Sequence, residues 1–259
     1  MSNVGGDERE MTQERSTGTD LEGRVALVTG AALRTGRALA IAFADAGADV
    51  IVHYHRSRDE ALEVVDEIEA RGRRGFAVSF DLADPEDVAS AIAEAVEAAG
   101  GLDILVNNVG SIVWKHLDEL TSEDWKTCLE GTLLATLHAS QAALPALRAS
   151  GRGRIVNILD ADADATDPVP YATAYKIGKR GTFTLTKTMA VLEAEHGVTV
   201  NAVSPGTLED SVEKPALDRI PAGRYGTYDD VAKAVLHLAS DAAAYVTGTQ
   251  IKVSGGYLI

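Results

Sequence analysis

A tyrosine and a lysine four residues apart, Tyr175 and Lys179, carry the most specific chemistry in this sequence. On a helix, positions i and i+4 share a face, so the ammonium sits beneath the phenol. A cation beside a phenol favours the phenolate and lowers its pKa. A tyrosine tuned this way can hand a proton to a substrate oxygen or nitrogen as a general acid. Alone, the Y-x-x-x-K pattern is common on helix surfaces, so its meaning depends on what surrounds it.

Two further segments supply that context. The apolar run Val25–Val28 ends in Thr29-Gly30-Ala31-Ala32-Leu33-Arg34-Thr35-Gly36. Gly30 lets the chain turn sharply off a strand. Gly36 lets a helix N-terminus approach a pyrophosphate, which the helix dipole and free N–H groups favour. The spacing is not G-x-G-x-x-G, and by itself the turn reads equally as an ordinary glycine-capped connection. The next strand ends in His53-Tyr54-His55-Arg56-Ser57. An acid there would bind the ribose 2′-hydroxyl of NAD, whereas an arginine accommodates the 2′-phosphate of NADP. Arg56 and Ser57 offer a guanidinium and a hydroxyl for it. Ser57-x-x-Glu60 is also a capping box, and both roles are compatible. His53 and His55 share a strand face but have no third ligand, so no metal site is expected.

The elements that must position these groups alternate strand and helix from Arg24 onward. Apolar runs at Val25–Val28, Val50–Val52, Phe76–Phe80, Ile104–Val106, Ile155–Leu159, Val198–Val203 and Gln250–Val253 predict strands. The alternation implies right-handed βαβ units and a parallel sheet buried on both faces. An amphipathic helix is predicted over 58–70 with Leu62, Val65 and Ile68 inward. Asp84-Pro85-Glu86-Asp87 reads as an N-cap with proline at N1. Thr121–Asp124 opens a long helix to about Leu147, in which Trp125, Leu129, Leu133 and Leu134 face the core or a subunit and Cys128 is packed. A helix over 172–195 carries the Tyr-Lys pair, with Tyr171 lining the pocket or packing and Glu193 and Glu195 at its surface.

The chain has 259 residues, 46% hydrophobic and 24% charged, and a net charge of −15. That acidity disfavours a nucleic-acid partner, whose phosphates would be repelled. No apolar run reaches the length of a membrane span, and no signal-peptide core precedes the first strand. The lone Cys128 precludes an intramolecular disulfide and fits a cytoplasmic location. Residues 1–20 are polar and read as a disordered tail, with Met11 as an alternative start. Residues 21–259 read as one doubly wound α/β domain.

Taken together, the motifs resemble the short-chain dehydrogenase/reductase family. The resemblance covers about residues 22–259. It rests on Thr29–Gly36, Asp81-Leu82, Asn107-Asn108-Val109-Gly110, Tyr175 and Lys179, Ser204-Pro205-Gly206, and the closing Val246-Thr247-Gly248 and Gly255-Gly256. It implies a Rossmann-type fold with a seven-stranded parallel sheet, NADP(H) as cofactor, a small-molecule substrate and a homotetramer. Gly30, Arg34, Thr35 and Gly36 would hold the phosphates, His55, Arg56 and Ser57 the 2′-phosphate, and Asp81 and Leu82 the adenine side. Asn108, Val109 and Gly110 would line the cofactor, with Pro205, Gly206 and Thr207 beside the nicotinamide.

Two departures from the family pattern bear on the chemistry. The serine that usually polarises the substrate carbonyl is absent. Counting from the fifth strand puts Asp160 in its place, while counting back from Tyr175 gives Asp162, with Asp164 nearby. Asp160 is preferred, because a loop insertion is easier than a strand shift. The asparagine that usually holds a relay water aligns with Thr132. An aspartate in place of the serine resembles pteridine reductases, which also carry an arginine like Arg34 and a segment like His53–Ser57. That implies reduction of a dihydropterin. Residues 109–142 look more like bacterial 3-oxoacyl thioester reductases. A solvated acidic loop over 160–167, and an NADP-binding protein with little catalysis, are the competing readings.

Overall fold

Successive strand residues point to opposite faces, and here both faces are apolar. In β1 (Val25–Val28) Ala26 and Val28 belong to one core and Val25 and Leu27 to the other. A strand buried this way needs a helix layer on each side. The computed structural model describes residues 20–211 and 213–258. Apart from Asp20, the tail expected over 1–20 lies outside them.

The strands β2 (Asp49–Tyr54), β3 (Gly75–Ser79), β4 (Ile104–Asn107), β5 (Arg154–Ile158), β6 (Thr199–Pro205) and β7 (Gln250–Val253) complete a seven-stranded sheet. Its order is β3-β2-β1-β4-β5-β6-β7, and every pairing is parallel. The helices are α1 (Arg34–Asp45), α2 (Arg58–Glu69), α3 (Pro85–Ala99), α4 (Ser122–Leu129), α5 (Ala135–Ala149), α6 (Thr173–Glu193) and α7 (Tyr228–Ala239). One core joins the sheet to α1, α2 and α7 through Phe43, Val64 and Val235. The other joins it to α3, α5 and α6 through Ile92, Leu147 and Met189. Strand order reverses between β1 and β4, so their carboxyl ends part and leave a crevice there. No helix among the described residues is long and apolar enough to cross a membrane.

Several local expectations hold. Asp84 accepts from the N–H groups of Glu86 and Asp87, with Pro85 in the first turn. Thr121 and Asp124 form a reciprocal capping box, and Cys128 is buried. Other local readings are corrected. Ser57 caps nothing with its side chain, because its backbone turns away from capping geometry. The buried stripe of α2 is Ala61, Val64 and Ile68, and Leu62 is exposed. The long helix is interrupted by a π-helical turn at Glu130–Leu134, which rotates everything beyond it. Glu193 is buried rather than superficial: the Arg148 guanidinium of α5 grips it with two 2.8 Å hydrogen bonds. It extends the stripe Thr182, Thr186, Met189 on α6, so helical spacing alone could have placed it.

Candidate active site

The crevice is built from the carboxyl ends of β1, β4, β5 and β6. After β1 the chain turns at Gly30 with φ +61°. Gly36 then lies so close that a Cβ there would sit 2.0 Å from the Gly30 carbonyl oxygen and 2.8 Å from Asn108 Nδ2. Helix α1 has Leu33 as its N-cap, which offers no side-chain cap, and no acid in its first turn, which leaves its first N–H groups open to an anion. The turn is pinned from both sides. Asn108 donates from its backbone N–H to Thr29 Oγ1 at 2.9 Å and from Nδ2 to the Thr29 carbonyl at 3.0 Å. On the other side, His53 Nδ1 accepts from the Gly30 N–H at 3.0 Å, and Nε2 donates to the Phe80 carbonyl at 3.1 Å. Burial pushes His53 down to about 4, so the ring is neutral with both nitrogens engaged. It is a structural peg, not a metal ligand.

The 2′-phosphate end lies just beyond. His55 and Arg56 are exposed and Ser57 is half-buried. His55 Nε2 stands 4.0 Å from Asp81 Oδ2. Arg56 has no ion pair among the described residues, in a chain of net charge −15, and the Ser57 hydroxyl is free of its expected cap. Leu82 is buried beneath. Arg34, at φ +51°, does not stand open. Its Nε donates to Asp210 Oδ2 at 2.9 Å, and Tyr228 also donates to that oxygen.

The catalytic end gathers around α6. Gly110 packs against Tyr175 and Lys179: a Cβ on it would sit 3.0 Å from Lys179 Nζ and 3.3 Å from Tyr175 Cε2. Val109 closes on Gly30 in the same way. Lys179 Nζ donates to the Ile158 carbonyl at 2.7 Å and lies 5.7 Å from the Tyr175 ring centre. The Tyr175 hydroxyl donates to Asp160 Oδ1 at 3.0 Å. Burial, reinforced by the Asp160 charge, pushes the phenol well above its ordinary value. The expected lowering is therefore not present in the protein alone, and Tyr175 keeps its proton. Burial pushes Lys179 down to about 8, against the opposing pull of Asp160.

Of the three candidate aspartates, Asp160 contacts Tyr175. Asp162 is one step away, sharing Lys176 with Asp160. Asp164 pairs with Lys252 of β7 at 2.8 Å. Three aspartates of the acidic run are thus paired with lysines from α6 and β7, and the run is not merely a solvated loop. Thr132 is buried in the π-helical turn, and its Oγ1 accepts from the Ser111 N–H at 3.2 Å. That turn presses against α6, where a Cβ on Gly178 would meet Thr132 Cβ at 3.2 Å. Gly206 follows β6 and donates to the Val253 carbonyl at 2.9 Å; the carbonyl of Thr207 accepts from Gly226 at 3.0 Å. Tyr171 stacks with Trp114 at 6.4 Å and meets His116 edge-on at 5.2 Å, an aromatic wall open to solvent. Sequence reasoning missed Lys176 and Asp210, which no motif marks.

Ala172 precedes α6 with φ +52°, where a Cβ costs roughly 1–2 kcal/mol. Its N–H donates to the Lys115 carbonyl at 3.0 Å, which holds the strained geometry. Ala172→Gly is expected to stabilise the protein by up to about 1 kcal/mol, read as a rise in denaturation midpoint. A fall would mean that the Ala172 methyl contributes more packing than its backbone costs.

A family profile described as enoyl-(acyl carrier protein) reductase matches residues 30–258. The chain is 36% identical over 239 residues to a 3-oxoacyl-[acyl-carrier-protein] reductase of Staphylococcus aureus, covering 89% of this chain and 96% of that protein. It is 35% identical over 253 residues to an L-rhamnose 1-dehydrogenase (NAD(P)(+)) of Sphingomonas, covering 92% and 98%. The crystal structure of a short chain dehydrogenase from Burkholderia cenocepacia in complex with NADP matches with a TM-score of 0.85 at 36% identity, over 92% of this chain and 98% of that one.

Proposed function

Because the chain belongs to the short-chain dehydrogenase/reductase family, we propose that it is an NADP(H)-dependent oxidoreductase reducing a C=O or C=N bond, with Tyr175 as proton donor. The observation that carries this reading is the Tyr175–Lys179 pair packed on Gly110, beside a glycine turn whose helix N-terminus is uncapped. The residues fit the cofactor. Gly30, Thr35 and Gly36 line the pyrophosphate turn. Arg56 and Ser57, unpaired among the described residues, offer with His55 the guanidinium and hydroxyl that a 2′-phosphate requires, and Asp81 and Leu82 border the adenine. Asn108, Val109, Gly110, Pro205, Gly206 and Thr207 flank the nicotinamide end.

When bound, NADPH supplies the hydride. The chain supplies the rest. Tyr175 delivers a proton to the substrate atom that gains negative charge. Lys179, charged below about pH 8, holds the positive potential that stabilises the phenolate left behind. The kcat/KM for reduction is therefore expected to fall on the alkaline side with a midpoint near 8, as Lys179 loses its charge. A flat profile from neutral pH to well above that midpoint would assign Lys179 a different role.

Arg34 belongs to the phosphate turn, yet Asp210 occupies it. Cofactor phosphate and Asp210 then compete for one guanidinium. Asp210→Asn is expected to tighten NADPH binding about two- to fivefold, the scale of an exposed ion pair, in a fluorescence titration at low salt. Weaker binding would mean that Asp210 aims Arg34 instead of occupying it.

The substrate is a carbonyl compound, and a 3-oxoacyl thioester is the first to test, because a reductase named for that class is 36% identical. Asp160 on Tyr175 favours a second reading, a dihydropterin whose N–C–N edge pairs with a carboxyl group. NADPH oxidation with each compound in turn decides between them. Turnover of the thioester alone supports the first, and turnover of the dihydropterin alone replaces it. NADPH binding with neither reaction favours a weakly catalytic cofactor-binding protein. A homotetramer fits the exposed apolar Ile177, Val191 and Leu192 on α6.

A further inference from the structure

Lys176 lies outside every recognised motif, yet it is the charge tied most closely to the proton donor's partner. Its Nζ lies 2.8 Å from Asp160 Oδ2 and 2.8 Å from Asp162 Oδ1. The three side chains retain only 20%, 23% and 17% of their exposure. The other Asp160 oxygen accepts the Tyr175 hydroxyl. One ammonium thus fixes the carboxylate on which the phenol rests, and Asp162 anchors the ammonium from behind. Without Lys176, two carboxylates would face each other with no cation between them, an arrangement that moves the side chains apart.

An ionised carboxylate is an acceptor only, whereas a serine hydroxyl also donates. Asp160 therefore cannot hydrogen-bond to a substrate carbonyl oxygen as the expected serine would. We propose that Lys176 is a positioning residue that locks Asp160 as a charged acceptor at Tyr175, so that the site favours substrates bearing an O–H or N–H donor next to the reducible carbon. This rests on Tyr175 being the proton donor, and it ranks a 3-oxoacyl thioester, whose reducible carbon has no such donor beside it, below a ketone that has one. During reduction hydride adds to the substrate carbon, the C=O π pair moves onto oxygen, and the Tyr175 proton follows to that oxygen. The Tyr175 hydroxyl then no longer satisfies Asp160 Oδ1. A neighbouring donor on the substrate fills the vacancy, and a substrate without one leaves a part-buried carboxylate oxygen unpaired.

The test uses the NADPH complex and two matched ketones, 1-hydroxy-2-butanone and 2-butanone. Wild type is expected to prefer the hydroxyketone by roughly 10–100-fold in kcat/KM, the scale of a hydrogen bond to a charged group. Lys176→Met should bring that ratio close to one, with the loss mainly in kcat, and Lys176→Arg should restore most of it. If Lys176→Met does not fold, the double variant Lys176→Met/Asp162→Asn removes the second carboxylate and is expected to show the same lost preference. Equal use of both ketones by wild type, or an unchanged ratio in the Met variants, overturns the proposal. So does turnover of neither ketone by protein that quenches NADPH fluorescence. Failure to bind NADPH at all would count against the cofactor reading instead.

Discussion

Tyr175→Phe is expected to lower NADPH-dependent reduction by roughly 10²–10⁴-fold, the usual contribution of a positioned general acid. The variant deletes one oxygen. Asp160 keeps Lys176 at 2.8 Å, so no charge is left without a partner and the fold should be retained. Lys179 keeps its bond to the Ile158 carbonyl. The loss should therefore fall on kcat, with NADPH affinity nearly unchanged. Stopped-flow traces at 340 nm with a fluorescence titration separate the two. A variant that reduces substrate at the parental rate would remove Tyr175 from the chemistry, and one that loses NADPH binding equally would make it a cofactor ligand.

Gly36→Ala is expected to cost both cofactor binding and stability. A Cβ at this position sits 2.0 Å from the Gly30 carbonyl oxygen, far inside contact distance. Both obstacles nearest to it belong to parts that cannot yield freely. The Gly30 carbonyl is backbone, and Asn108 Nδ2 already donates to the Thr29 carbonyl at 3.0 Å. The turn must open, which carries the α1 N–H groups away from the anion they would hold. Overpacking of this kind costs roughly 1–3 kcal/mol, and loss of aligned N–H groups should weaken NADPH binding by more than about tenfold, at least one charge-assisted hydrogen bond. Thermal unfolding and a fluorescence titration read the two effects. Unchanged affinity would place the pyrophosphate away from this turn.

How much of this was legible in the sequence depends on the range of the interaction. Inner strands such as β1 and β4 were readable because they are buried and apolar on both faces, a pattern with few alternatives at that length. The caps at Asp84 and Thr121 were readable because cap and partner lie within three residues. The π-helical turn at Glu130–Leu134 was not, since no local motif marks it and its Thr132 packs against Gly178 on another helix. Tyr175 and Lys179 could be read from helical spacing, and Asp160 from its place at the end of β5. Their electrostatics could not. The sequence suggested a lysine lowering the phenol, but burial and Asp160 dominate, and they depend on which aspartate of three turns inward. Lys176 and Asp210 were invisible for the same reason. Their partners lie 16 and 176 residues away, and only the folded crevice brings them together.

The central claim is that this crevice moves hydride from NADPH while Tyr175 supplies the proton. It is tested most directly by incubating the protein with NADPH deuterated at the transferring carbon and a 3-oxoacyl thioester, then examining the product by mass spectrometry. One hydroxyacyl product is expected per NADPH consumed, with one deuterium on the new carbinol carbon. Deuterated cofactor recovered intact from protein that binds it, with no labelled alcohol, would contradict the claim for this substrate class.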